Sequence, residues 1–144
     1  MTPHVLYMRE FTSELGIQIV VGENAKENDE LTQSADASHY WFHIADFPGA
    51  HVVARTATLD RETKRDAAIL ACHFSKAPLK TAKMLVVDVC RVSDVYKPEN
   101  VNHGSVVLSN SEQLTIFYQK IPQKARLGRL LTGQSARDYL LTTP

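Results

Sequence analysis

The stretch from Tyr40 to Arg55 constrains the fold more than any other part of this sequence. Tyr40–Ile44 is aromatic and β-branched, and His51-Val52-Val53-Ala54-Arg55 is equally strand-prone, so both runs favour a pleated, half-buried backbone. Between them, Phe47-Pro48-Gly49 places a residue of fixed φ beside the most permissive one, which makes a sharp turn. Two strands flanking one tight loop require a sheet. The sequence leaves open whether the two pair with each other.

The remaining chain supplies partners for that sheet. A strand is expected near Val5–Met8, and another at Ile17–Val21, stopped by Gly22. Asn24 with Glu27 three residues on has the form of a capping box, so a helix is expected over 25–33. Asp60 caps a longer helix over 61–76, whose Ala67, Leu70, Ala71 and Phe74 recur at helical spacing, and Pro78 lies beyond its end. Met84–Val89 is a nearly continuous apolar run, the mark of a central strand buried on both faces, and Val92–Tyr96 continues it or pairs with it. Ser105–Leu108 and Leu114–Gln119, separated by the polar Ser109–Gln113, read as a hairpin. The expected fold is α+β: one domain with a mixed or mostly antiparallel sheet of about six strands and two main helices. Residues 1–119 form that domain, and 120–144 a basic extension that is a docked helix or a tail.

With 144 residues, 44% apolar types and 22% charged, the chain buries a core without metals or disulfides. Cys72 and Cys90 have no CxxC spacing and read as buried thiols. No apolar run approaches the roughly 20 residues of a spanning helix, and the first ten residues lack a signal-peptide core, so a cytoplasmic location is expected. Formal charge is zero, yet residues 1–50 carry −6, 51–118 carry +2 and 119–144 carry +4. Such polarity allows a polyanion on one side and argues against tight, indiscriminate phosphate binding.

Candidate chemistry clusters at the turn. His43, Asp46 and His51 resemble part of a metal site, but no further ligand stands at metal-site spacing. Loop organisation is favoured, with Asp46 accepting backbone N–H groups across the turn and Gly49 supplying a backbone geometry other residues resist. The two histidines either donate to phosphate and stack on bases or are satisfied inside the structure. Trp41 is expected in the core before it is expected as a stacking platform. Ser75 and Lys76 point about 100° apart on a helix, which disfavours a catalytic dyad, and Lys76 suits a helix C-terminus or a phosphate. Lys26 and Asn28 sit in the first turn of the first helix, where free N–H groups favour anions but neighbouring carboxylates oppose them. Lys97, held extended before Pro98, is a further phosphate contact or a solvated lysine.

Three stretches taken together resemble the NFACT-R (NFACT RNA-binding) domain family. They are Ile19–Leu31, with Gly22-x-Asn24-x-x-x-Asn28-Asp29; WFHIADFPGAHVVAR at 41–55; and Ala67–Ala77, followed by Lys97-Pro98 and Gly104. Agreement runs over residues 17–119, some seven-tenths of the chain. The resemblance implies an RNA-binding domain, not an enzyme and without a cofactor, that contacts tRNA or rRNA with Lys26, Asn28, His43, Asp46, Gly49, His51, Arg55, Lys76 and Lys97. Multidomain members are ribosome-associated quality-control factors that hold tRNA on the large ribosomal subunit. Their other domains exceed what 144 residues hold, so a free-standing copy is expected, with any such domains supplied by a protein partner, and tailing of stalled peptides is not carried over. The rival readings are a DNA-binding or protein-interaction adaptor using the basic stretch from Lys120, and a metal-dependent hydrolase on His43, Asp46 and His51.

Overall fold

The computed structural model describes residues 8–133. Eight strands and three helices follow in order: β1 (Arg9–Thr12), β2 (Gln18–Val21), α1 (Ala25–Ser34), β3 (Tyr40–Ile44), β4 (Val52–Ala54), α2 (Arg61–His73), β5 (Leu85–Arg91), β6 (Val95–Tyr96), β7 (Val107–Leu108), β8 (Glu112–Ile116) and α3 (Ile121–Thr132). Six strands make one fully antiparallel sheet in the order β1-β2-β4-β3-β5-β8, and β6 and β7 make a separate ribbon. The fold is α+β, as the pattern of elements implies. β3 and β4 do pair, with Trp41 opposite Val53.

The helices start where their caps place them. The Glu27 N–H donates to Asn24 Oδ1 (2.9 Å) and the Glu23 N–H to Glu27 Oε1 (2.9 Å), while the Thr63 N–H donates to Asp60 Oδ2 (2.9 Å). α2 ends earlier than its apolar spacing implies. The Phe74 N–H closes the last turn on the Leu70 carbonyl, and Ser75 leaves the helix to bridge Gly49. Lys76 therefore does not sit on the helix terminus.

Helices cover both faces of the sheet. α2 and α3 pack on one face against Ile19, Phe42, Val52, Val87, Val89 and Ile116. On the other, Leu31 of α1 meets Val20, Trp41, Val53 and Cys90, with Val95 and Leu108 of the ribbon alongside. Trp41 and Phe42 are thus both buried, one on each face, and runs such as Ile19-Val20-Val21 have no polar alternation because neither face is solvated.

One expectation fails, and another lies mostly outside the described residues. The first strand is Arg9–Thr12, and Val5–Tyr7 lie outside the described residues. The Ser105–Gln119 hairpin does not form: β7 pairs with β6, and β8 joins β5 in a five-residue ladder from Leu85↔Ile116 to Val89↔Glu112. β7 is instead drawn to the other face of the sheet, where it pairs with β6 and Leu108 packs on the smaller core.

α3 belongs to the packed structure. Leu127 and Leu130 enter the larger core, and Arg126 and Arg129 close on Asp66 Oδ1 at 2.6 and 2.5 Å. Asp66 is wholly buried and also accepts the Glu14 N–H, so its charge is compensated by three donors, two from α3 and one from the β1–β2 turn.

Candidate nucleic-acid interface

The sequence places Gly22, Asn28 and Asp29 around one corner, and the fold shows why. A Cβ on Gly22 would lie 2.2 Å from Asn28 Oδ1, so only glycine admits the asparagine. That oxygen accepts the His51 N–H at 3.0 Å, which ties α1 to the start of β4. Asp29 accepts the Gly104 N–H (2.8 Å) on one oxygen and His103 Nδ1 (2.8 Å) on the other, and Lys97 Nζ lies 3.2 Å away. Burial alone would raise the Asp29 carboxyl, but these hydrogen bonds and the Lys97 ammonium hold it below the usual carboxylate range.

His51 completes the corner from inside. It is 1% exposed, with Nε2 against the Gly104 carbonyl at 3.0 Å and Nδ1 against Thr32 Oγ1 at 2.7 Å. Since a carbonyl only accepts, Nε2 carries the proton and Nδ1 accepts from the Thr32 hydroxyl, which in turn accepts the Trp41 indole N–H at 3.1 Å. Burial, and after it the neighbouring His43, push the imidazole down to about 4, so it is neutral at pH 7. His51 therefore orients the corner and does not reach the surface.

The Pro48-Gly49 turn is pinned from the other side. The Pro48 carbonyl accepts the Lys76 N–H (2.8 Å), the Ala50 N–H donates to the Phe74 carbonyl (2.9 Å), and Gly49 bridges Ser75. The reason for glycine is proximity: a Cβ at Gly49 would meet Ile44 Cγ2 at 2.8 Å and Ser75 Cβ at 3.0 Å. The left-handed residue of the turn is Asp46, at φ 68, and among the described residues its exposed carboxylate takes no backbone N–H across the turn.

Together these segments enclose an open cleft of about 700 Å³. Its walls are the start of α1 (Glu23–Ala25), the Pro48–Ala50 turn, Phe74–Lys76 and the His103–Ser105 loop, with Asn28 and His43 also lining it. His43 stacks on Trp41 (5.7 Å between centroids, 8° between planes), and burial lowers its pKa. His73, also lowered by burial and then by Arg9, bonds the Tyr118 hydroxyl at 3.2 Å. Arg9 lies over the Phe74 ring (4.4 Å) and pairs with Glu23 (3.1 Å), while Lys76 is exposed and makes no ion pair among the described residues.

Of the nine residues singled out in the sequence, Asn28, His43, Gly49 and Lys76 line this cleft, and His51 and Lys97 brace it. Lys97 is not a free solvated side chain, because Asp29 holds its charge. Lys26 is exposed on the first turn of α1, beside the cleft, and Asp46 is exposed on the turn. Arg55 stands at the far end of β4, bonded to Gln18 Oε1 at 2.6 Å, and does not join the others. His43, Asp46 and His51 do not converge as ligands: both His51 nitrogens are engaged, and no group of three or more His, Cys, Asp or Glu able to hold a metal occurs among the described residues. Arg9, His73 and His103 were not legible as lining residues. They come from an edge strand, a helix end and a loop whose meeting depends on tertiary structure, although His103 stands next to Gly104 in the resembling pattern.

The sequence matches the NFACT protein RNA binding domain over residues 6–110. It is similar to the Rqc2 homolog RqcH of Bacillus subtilis, 35% identical over 116 residues that cover 80% of this chain and 20% of that protein. It is likewise similar to the Rqc2 homolog RqcH of Streptococcus suis, 40% identical over 101 residues, 68% of this chain and 18% of that one. Among solved structures, the C-terminal part of the fibronectin/fibrinogen-binding protein from Streptococcus suis superposes with a TM-score of 0.72 at 32% identity, covering 81% of this chain and 47% of that one. The chain thus spans about a fifth of the length of the curated relatives it matches.

Proposed function

The chain belongs to the family of NFACT RNA-binding domains, and from that premise we propose that it binds structured RNA, tRNA or ribosomal RNA, in the cleft between the start of α1 and the Pro48-Gly49 turn. The observation that carries this reading is the convergence of four segments, distant in sequence, that offer backbone and cations to one concavity. Gly22 and Gly49 let the walls pack closely on one another, and Gly104 takes a left-handed backbone, which fixes the main chain that lines the concavity. Lys76 supplies a cation with no ion pair among the described residues, Arg9 adds a guanidinium shared with Glu23, and the neutral His43 and His73 supply hydrogen bonding and ring faces. Shape and phosphate are read, not base sequence. The cleft is a binding site and no catalytic step is assigned to it. Similarity to the Rqc2 homologs favours a cytoplasmic place beside the large ribosomal subunit, with a protein partner for any further NFACT domains.

The rival reading through the basic residues after Lys120 is weaker, since Arg126 and Arg129 are already spent on Glu62 and Asp66. Fluorescence anisotropy with labelled tRNA and with a ribosomal RNA fragment at low salt tests the proposal. Saturable binding that Lys76→Glu weakens is expected; no association with either RNA overturns it.

A further inference from the structure

The sheet face opposite α2 is covered only in part. Leu31 and the β6–β7 ribbon close it over β2, β4, β3 and the end of β5, whereas β8 packs mainly on β5 and α2. Leu85 and Ile116 point into the α2-side core, so by two-residue alternation their neighbours Met84, Val86, Thr115 and Phe117 face the uncovered side. Met84 is 61% exposed and Phe117 46%. The Lys120 ammonium lies 5.5 Å from the Phe117 ring centroid.

Charge is as one-sided as the hydrophobicity. Residues 67–87 and 113–133 contain no Asp or Glu. The β5–β8 pairing, together with a hydrogen bond from Gln119 Nε2 to the Leu79 carbonyl, brings these two segments side by side. Lys76, Lys80, Lys83, Lys120 and Lys124 are all exposed there, and none forms an ion pair among the described residues. Tyr118, which bonds His73 at the rim of the cleft and lies 4.9 Å from Lys124 Nζ, belongs to the α2-side core, across β8 from Phe117.

We propose that this strip is a second RNA-contacting surface, which takes an unpaired segment of the chain with a base stacked on Phe117 beside Met84 and phosphates on Lys83 and Lys120. Only an unpaired nucleotide offers a base face to an exposed ring, and a cation beside that ring is where its phosphate would lie. Charge selects RNA over a protein occupant, since lysines with no acidic neighbour repel each other until a polyanion arrives. Asp88, which faces the same side and accepts from Gln113 Nε2 at 3.1 Å, steers the phosphates toward the Met84–Phe117 end. The inference rests on the RNA-binding reading of the cleft, but Met84, Phe117, Lys83 and Lys120 lie outside the cleft lining.

The test uses the full chain, a labelled twelve-nucleotide oligouridine and an intact tRNA, in anisotropy titrations at one salt concentration. Phe117→Ser is expected to weaken oligouridine binding about tenfold, the scale of one lost base–aromatic stack, with tRNA affinity changed less and the melting temperature held. Lys120→Glu should weaken both. Wild-type protein that binds tRNA but not oligouridine, or Phe117→Ser that binds oligouridine as wild type does, overturns the second surface and leaves the cleft standing. Failure to bind either RNA removes both.

Discussion

His51 braces the proposed cleft from inside without facing it. Its neutral ring links Thr32 of α1 to Gly104 of the opposite wall, so protonation breaks the corner. Above pH 6.5 neither the folded nor the unfolded imidazole is charged. As pH falls from 6.5 to about 4, only the unfolded chain takes the proton, so stability declines across that window and levels off below it. The expected loss is roughly 3 kcal/mol at the bottom of the window, and His43 and His73 act in the same direction. Melting temperatures at pH 7 and pH 5 should therefore differ less in His51→Gln than in wild type; equal differences would show that the buried imidazole is not the titrating group. At Gly22 the argument is steric. Gly22→Ala places a methyl against Asn28 Oδ1 and should cost about 1–3 kcal/mol in urea denaturation, as other overpacked sites do.

At the scale of elements, α3 decides how a truncation is read. Removing residues 120–144 takes Leu127 and Leu130 out of the larger core, and leaves Asp66 buried without either arginine. Stranding one member of a buried ion pair costs about 3–5 kcal/mol, so the truncated chain should lose its cooperative melting transition. Retention of a wild-type transition, measured by circular dichroism, would show α3 to be dispensable. The sequence carried the caps of α1 and α2, the β3–turn–β4 unit and the buried β5, because those depend on local spacing. It did not carry the partner of β8 or the end of α2, because both are set by what stands across the sheet: β5 needs a neighbour on its open edge, and Ser75 gains a bridge to Gly49 by leaving the helix. The site was legible as a set of glycines, histidines and Asn28-Asp29, but not as a division of labour. Burial, which no spacing reveals, made His51 and Lys97 braces and left Lys76 at the rim.

For the whole molecule, zero net charge hides a polar distribution. The acidic excess of residues 1–50 is partly neutralised by Lys97 at Asp29, while the lysines of 76–83 and 120–124, at the β5–β8 end, form no ion pair among the described residues. RNA affinity should therefore be moderate, with a salt dependence that reports only a few neutralised phosphates. The most direct measurement is the slope of log Kd against log salt for tRNA binding by wild type and by Lys76→Glu. Each phosphate contact contributes about 0.7–0.9 to the slope, so a wild-type slope of a few units that drops by about one in the variant is the predicted result. A slope near zero, or one that Lys76→Glu leaves unchanged while affinity stays at the wild-type value, would contradict the cleft as the place where RNA is held.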